Sequence, residues 1–155
     1  MTGVQTCALP ISAVPTPGLA PAAAPRDDVL VVDEGHISGR ALQRHLQLLG
    51  FRTELAGDTE GALQQLGERA YRFVLVDERV GRMDGLQLSR AIRRQKTPRP
   101  ARPVVVLMTS RRGLLDRLRA WLAGCTVSLA KPLNEADLVR LLARHESRPG
   151  RRAKA

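Results

Sequence analysis

The chain has 155 residues, of which 43% are hydrophobic and 26% are charged, and its formal net charge is +10. This length suits one domain with a hydrophobic core, and the apolar runs fall far short of the ~18 residues that a membrane-spanning helix needs. Residues 27–146 hold 20 basic and 15 acidic residues, so about half of the excess positive charge lies outside them and nucleic-acid binding is not favoured. The two cysteines, Cys7 and Cys125, are far apart in the sequence, and their spacing is not that of metal ligands. Nothing in the sequence indicates a disulfide bond, so a reducing cytoplasm is the expected environment.

The two ends of the chain differ in composition from the middle. Residues 1–11, "MTGVQTCALPI", resemble the translation of a common short-read sequencing adapter, so we expect them to be an assembly artefact. Residues 1–26 as a whole are expected to form a disordered Pro- and Ala-rich leader, and residues 147–155 a disordered basic tail. The folded domain is then predicted at 27–146, an arrangement compatible with a chain that forms the C-terminal part of a longer protein.

Between residues 29 and 145, apolar runs of strand length alternate with segments of helical periodicity. The predicted strands are the runs 29–32, 51–55, 73–76, 104–108 and 127–130. A helical stripe of apolar residues follows each run: Leu42, Leu46 and Leu49; Ala62, Leu63 and Leu66; Leu88, Ala91 and Ile92; Leu114, Leu115, Leu118, Trp121 and Leu122; Leu138, Leu141 and Leu142. Gly50 is predicted to close the first helix and Asn134 to cap the last. Five such pairs predict an α/β fold with a parallel sheet covered on both faces.

Carboxylates end two of the predicted strands. Asp33 and Glu34 follow the first strand in "VVDEG", and Asp77 follows the third in "LVDER". In a doubly wound sheet the carboxyl ends of the strands form the ligand crevice, so these acids are expected to lie together. Such close carboxylates repel unless a cation intervenes, and oxygen ligands suit Mg²⁺. The alternative, that each Asp only caps a turn after its strand, is less favoured for three acids than for one.

Two further strand ends carry polar groups. The fourth strand, "VVVLMTS", ends in the hydroxyls of Thr109 and Ser110, and the fifth, "VSLAKPL", ends in Lys131 followed by Pro132. Acids, hydroxyls and an ammonium group at one edge suit a phosphoryl group, because a carboxylate can attack phosphorus while cations neutralise the transferring oxygens.

The four segments "VLVVDEG", "FVLVDERVGRMDG", "VVVLMTS" and "SLAKPL" together resemble the response-regulator receiver domain of bacterial two-component signalling, over residues 29–145. The resemblance implies a (βα)5 receiver fold, which is a flavodoxin-like, doubly wound, five-stranded parallel sheet. It also implies a phosphoacceptor rather than an enzyme. A histidine kinase or histidine phosphotransfer protein would phosphorylate it in the cytoplasm, and phosphorylation would switch a protein-interaction surface.

The resemblance also assigns roles to individual residues. It implies Asp77 as the phosphoacceptor, Thr109 as the hydroxyl that contacts the phosphoryl oxygens, and Lys131 as their ion partner, with a cis peptide bond before Pro132.

It further implies a Mg²⁺ site. The ligands would be Asp33, Glu34 and Asp77, together with the backbone carbonyl of Arg79.

Three residues depart from the family pattern. Ser128 replaces the usual Tyr or Phe, Gly81 replaces a customary Pro, and Arg79 places a cation beside the acceptor. The chain could therefore be a pseudo-receiver, which keeps the fold as an interaction module without switching. A haloacid-dehalogenase-like phosphatase would need a second Asp two residues after its nucleophile, where Gly35 and Arg79 stand. A dinucleotide-binding protein would need a Gly-rich turn that the first strand lacks.

Overall fold

The computed structural model describes residues 26–96 and 102–146. The elements in chain order are β1 (Arg26–Val32), α1 (His36–Leu48), β2 (Phe51–Ala56), α2 (Thr59–Glu68), β3 (Phe73–Asp77), β4 (Arg79–Val80), β5 (Met83–Asp84), α3 (Gly85–Arg94), β6 (Val104–Thr109), α4 (Leu114–Leu122), β7 (Val127–Ala130) and α5 (Glu135–Glu146). The predicted leader, apart from Arg26, and the predicted tail lie outside the described residues. Within the part of the chain described, no helix combines the length and apolarity needed to cross a lipid bilayer.

The main sheet has five parallel strands in the order β2-β1-β3-β6-β7. This confirms the predicted doubly wound α/β fold. The two-residue strands β4 and β5 form a separate antiparallel ribbon directly after β3, which the sequence patterns did not predict.

The apolar run of β3 is continuous because both faces of the sheet are covered. Val74 and Val76 lie in the hydrophobic core on one face, whereas Phe73 and Leu75 lie in the core on the other, and all four are fully buried. A strand buried on both faces needs apolar residues at every position rather than at alternate positions.

The predicted helix ends are confirmed. Gly50 follows α1 with φ at +91°, a left-handed conformation that favours glycine. Before α5, the Asn134 Oδ1 accepts a hydrogen bond from the backbone N–H of Ala136 at 3.0 Å, which satisfies one of the unpaired donors of the first turn.

The fourth helix forms where it was predicted, but its apolar stripe is not buried. Leu114 is 82% exposed and Trp121 is 68% exposed, and Ala120 is the buried residue of α4. The helix lies over the edge strand β7, and the small side chains of Ala120 and Ala123 are the ones that enter the core. Periodicity thus predicted the helix correctly but not the face that it turns inward.

Candidate functional site

The strand register brings the predicted site residues to one edge of the sheet. Val32 of β1 pairs with Val76 of β3, so Asp33 and Asp77 follow neighbouring positions. Beyond β7, the backbone N–H of Lys131 donates to the carbonyl oxygen of Thr109 at 2.9 Å, which places the last two strand ends beside each other. The acids, the hydroxyl and the ammonium group predicted from the sequence therefore share the carboxyl edge of the sheet.

The centre of this edge is an ion pair between Asp77 and Lys131. The Lys131 Nζ lies 2.8 Å from Asp77 Oδ1 and donates a hydrogen bond to it. The side chain of Asp77 is 15% exposed and that of Lys131 is 36% exposed, so the pair is only partly screened by solvent. Among the described residues, no protein donor is hydrogen-bonded to the second carboxylate oxygen, Oδ2. The peptide bond between Lys131 and Pro132 is cis, as the family resemblance implied.

Asp33 is held by donors from the turn that follows β1. It is 4% exposed, its Oδ1 accepts from the backbone N–H of Gly35 at 2.7 Å, and its Oδ2 accepts from the Ser38 hydroxyl at 2.6 Å. These bonds offset the desolvation of a buried carboxylate. Sequence reasoning missed Ser38, although a hydroxyl in the first turn of the helix after "VVDEG" could have indicated it.

Glu34 is directed toward the loop between β4 and β5. Its Oε2 accepts a hydrogen bond at 2.9 Å from the backbone N–H of Gly81, whose φ is +61°. Proline has no N–H and its ring holds φ near −65°, so it could supply neither the donor nor this conformation. A proline at this position would therefore exclude the contact that Gly81 makes with Glu34.

The carboxylate oxygens at this edge of the sheet are ligands that suit Mg²⁺. Among residues 26–96 and 102–146, no three or more His, Cys, Asp or Glu side chains already converge as a metal-holding group. Mg²⁺ needs only one or two protein carboxylates, however, because it keeps several waters and binds phosphate oxygens. The neighbouring carboxylates of Asp33 and Asp77 meet that requirement. Arg79, whose backbone carbonyl was predicted as a further ligand, lies in β4 with an exposed side chain.

Thr109 is hydrogen-bonded to Glu78, a residue that sequence reasoning did not assign to the site. The Thr109 hydroxyl donates to Glu78 Oε2 at 2.9 Å, and the backbone N–H and hydroxyl of Ser110 donate to the same oxygen at 3.2 Å each. The Arg111 Nε lies 3.0 Å from the other oxygen, Oε1. Asp77 pairs with Met108 in the register of β3 and β6, so the next residues along, Glu78 and Thr109, face each other.

The surroundings of Glu78 favour its ionised form. Partial burial acts to raise the pKa of the Glu78 carboxyl, but the hydrogen bonds from Thr109 and Ser110 and the charge of Arg111 outweigh it and lower that pKa below its ordinary value.

Gly85 is a third residue that sequence reasoning missed. Its N–H donates to the carbonyl oxygen of Glu78 at 2.9 Å, and a Cβ at this position would overlap the carbonyl oxygen of Asp77. The same Cβ would lie 2.9 Å from Leu107 Cδ1. Only glycine therefore allows the start of α3 to pack against the strand end that carries Asp77.

An open cleft lined by charged side chains of both signs adjoins Glu78 and Thr109 on the side of α4. Its volume is about 520 Å³, and its charged lining consists of Glu78, Arg79, Arg82, Asp84, Arg111, Asp116 and Arg119. Four cations against three acids leave this approach to the site weakly positive, which suits an anionic reactant.

Residues 29–143 match the family model of the response regulator receiver domain. The chain belongs to this family. The resemblance inferred from the four sequence segments is thereby confirmed, and the receiver domain is a phosphoacceptor module of two-component signalling. The pseudo-receiver alternative is not favoured.

Relatives of this receiver domain are found in larger signalling proteins. It is 31% identical over 115 residues to the transcriptional activator protein PfeR of Pseudomonas aeruginosa, covering 74% of this chain and 36% of PfeR. It is 30% identical over 131 residues to the gliding motility regulatory protein of Myxococcus xanthus, covering 84% of this chain and 16% of that protein. The chain thus spans well under half of the length of these relatives.

One solved receiver-domain structure of similar fold contains a bound metal ion. The receiver domain of the sensor histidine kinase PA1611 from Pseudomonas aeruginosa PAO1 is 30% identical and superposes with a TM-score of 0.67, covering 76% of this chain and 95% of that one. That crystal structure has a magnesium ion coordinated in its active-site cleft.

Proposed function

We propose that this receiver domain accepts a phosphoryl group on Asp77 from a phosphohistidine of a histidine kinase or histidine phosphotransfer protein. The observation that carries the proposal is the Lys131–Asp77 ion pair at 2.8 Å, formed at the sheet edge beside Asp33 and Thr109. An isolated strand-end Asp needs no ammonium partner. A phosphoacceptor does, because the product carries about −1.5 to −2 charges that must be neutralised locally.

The transfer is an in-line displacement at phosphorus. An Asp77 oxygen forms the new bond to phosphorus while the bond from phosphorus to the histidine nitrogen breaks, and the imidazole leaves with a proton from solvent. Oδ2 is the oxygen available for attack, since Oδ1 accepts the Lys131 hydrogen bond. Lys131 then neutralises the phosphoryl oxygens, and the Thr109 hydroxyl can donate to one of them.

Mg²⁺ is the cofactor that the acidic edge would hold. We propose Asp33, Glu34, Asp77 and the Arg79 backbone carbonyl as the residues that hold it, directly or through waters. Bound there, the ion would offset the repulsion between the attacking carboxylate and the incoming phosphoryl group. Asp33 would stay oriented by its bonds from Gly35 and Ser38.

The product of this reaction is the signal, so we infer a phosphoacceptor that does not turn over an external substrate. We further infer that it works in the cytoplasm, where kinases of this class phosphorylate their receivers, and that its output is an altered protein-interaction surface. The presence of the acid, hydroxyl and ammonium groups together at one edge argues against a module that keeps only the fold.

Incubation with acetyl phosphate and Mg²⁺, followed by intact-mass measurement, tests the proposal. We expect one phosphoryl adduct that disappears with EDTA and with Asp77→Asn. Asp58→Asn is the matched control, because Asp58 caps α2 by accepting from Gly61 N–H and asparagine caps equally well. Asp58→Asn should label like the wild type. The absence of any Mg²⁺-dependent adduct on the wild-type protein would reject the proposal and favour the pseudo-receiver.

A further inference from the structure

The Glu78 carboxylate lies between the acceptor strand and the hydroxyls of the neighbouring strand. We call the hydrogen-bonded group of Glu78, Thr109, Ser110 and Arg111 the Glu78 bridge. One carboxylate oxygen accepts from the Thr109 hydroxyl at 2.9 Å and from both donors of Ser110, and the other pairs with Arg111. The Glu78 backbone is also fixed, since its N–H donates to Met108 O and its carbonyl accepts from Gly85 N–H, each at 2.9 Å.

The hydrogen-bonding capacity of Thr109 makes the Glu78 bridge a competitor of the phosphoryl group. A threonine hydroxyl has a single proton to donate, and here that proton goes to Glu78. The Thr109 hydroxyl oxygen also accepts a hydrogen bond from the backbone N–H of Arg111 at 3.0 Å, which holds the side chain in this orientation. Thr109 therefore cannot donate to a phosphoryl oxygen on Asp77 until its bond to Glu78 breaks.

Repulsion between the phosphoryl group and the Glu78 carboxylate also favours opening of the Glu78 bridge. Glu78 is the residue next to Asp77, so a phosphoryl group on Asp77 adds about −1.5 to −2 charges close to an ionised carboxylate. The repulsion favours departure of the Glu78 side chain from the site. Arg111 is 63% exposed and can remain paired with Glu78 as that side chain moves toward solvent.

We propose that Glu78 is a positioning residue that holds Thr109 in the unphosphorylated arrangement, so that phosphorylation must open the Glu78 bridge before Thr109 can contact the phosphoryl group. This inference rests on the proposed function of Asp77 as acceptor. The Glu78 bridge lowers the affinity of the site for a phosphoryl group and for its analogues, and it suppresses the switched conformation in the absence of phosphorylation.

The expected size of the effect follows from the bond that is lost. A hydrogen bond to a charged group contributes more than a neutral one, and its removal from the resting state should tighten binding of a phosphoryl analogue about ten-fold or more.

The experiment is a beryllofluoride titration in the presence of Mg²⁺, followed by NMR of the Thr109 methyl group. We expect Glu78→Ala to bind the analogue about ten-fold more tightly than the wild type. In the unliganded variant, the Thr109 methyl signal should move toward its position in the analogue-bound wild-type protein. Glu78→Gln, which is isosteric and keeps a neutral acceptor, should lie between the two and serves as the test if Glu78→Ala does not fold. Glu60→Ala removes an exposed carboxylate from α2 and should behave like the wild type.

The same titration in a Thr109→Val background distinguishes loss of the Glu78 bridge from simple removal of the Glu78 charge. In Thr109→Val, which has no hydroxyl to hold, the substitution of Glu78 should tighten analogue binding clearly less than it does in the wild-type background, because only the relief of charge repulsion can persist there. An equal tightening in both backgrounds, or an unchanged affinity in Glu78→Ala, overturns the inference while the proposed function stands. If the wild-type protein shows no Mg²⁺-dependent response to the analogue, the proposed function fails and this inference fails with it.

Discussion

Gly85→Ala should destabilise the receiver domain even though alanine is the better helix former. Gly85 is the first residue of α3, and in a helix interior the exchange of glycine for alanine contributes about 1 kcal/mol of stability. Against this stands the overlap of the new Cβ with the Asp77 carbonyl oxygen and its approach to Leu107 Cδ1 at 2.9 Å. The first of these neighbours is backbone of a buried strand and cannot rotate away.

The expected change in the free energy of unfolding is the steric cost of the new Cβ less the gain in helix propensity. Overpacking of a well-packed site costs about 1–3 kcal/mol, and the rigid neighbour places Gly85→Ala at the upper end. After the helix gain of at most about 1 kcal/mol, the net loss is about 2 kcal/mol. For a domain of this size, that loss lowers the melting temperature by roughly 8 °C. Because the displaced atom belongs to Asp77, labelling by acetyl phosphate should slow as well.

Thermal unfolding followed by circular dichroism measures this prediction. Gly67→Ala is the matched control, since Gly67 also lies in a helix and its nearest neighbour is the end of the Gln95 side chain, 3.1 Å from the new Cβ, which can move aside. Its melting temperature should not fall by a comparable amount. A Gly85→Ala protein that melts at or above the wild-type temperature would refute the steric reasoning.

Two further predictions concern buried groups away from the site. Burial and the hydrogen bond to Glu54 raise the pKa of the Tyr71 hydroxyl above its unfolded value. The stability that this proton contributes is therefore complete below about pH 10 and is lost as the pH rises further. Tyr71→Phe should flatten the fall in melting temperature above about pH 10, and an unchanged slope would contradict this. Burial also raises the pKa of the Cys125 thiol, which leaves little of the reactive thiolate. In a Cys7→Ser background, Cys125 should therefore react with Ellman's reagent at about pH 8 only after unfolding. Rapid labelling of the native protein would count against this prediction.

The sequence alone determined the secondary-structure elements and which edge of the sheet is lined with polar side chains. Short continuous apolar runs predicted the five strands, and apolar stripes of period 3.6 predicted the five helices. The polar residues at the strand ends predicted which edge of the sheet carries the candidate site. These features are local, because a strand run, a cap such as Asn134 or a strand-end Asp77 is specified by residues a few positions apart. Four such segments in order were also enough to identify the family.

The tertiary structure decided the contacts that depend on register and on close approach. Glu78 and Thr109 are 31 residues apart and meet only because β3 and β6 pair with Asp77 opposite Met108. Glu34 reaches Gly81 only through the β4–β5 ribbon. The exposed face of α4 likewise follows from its position over the edge strand β7, which its own periodicity does not encode. Register and edge position are set by long-range packing, so no short window of the sequence contains them.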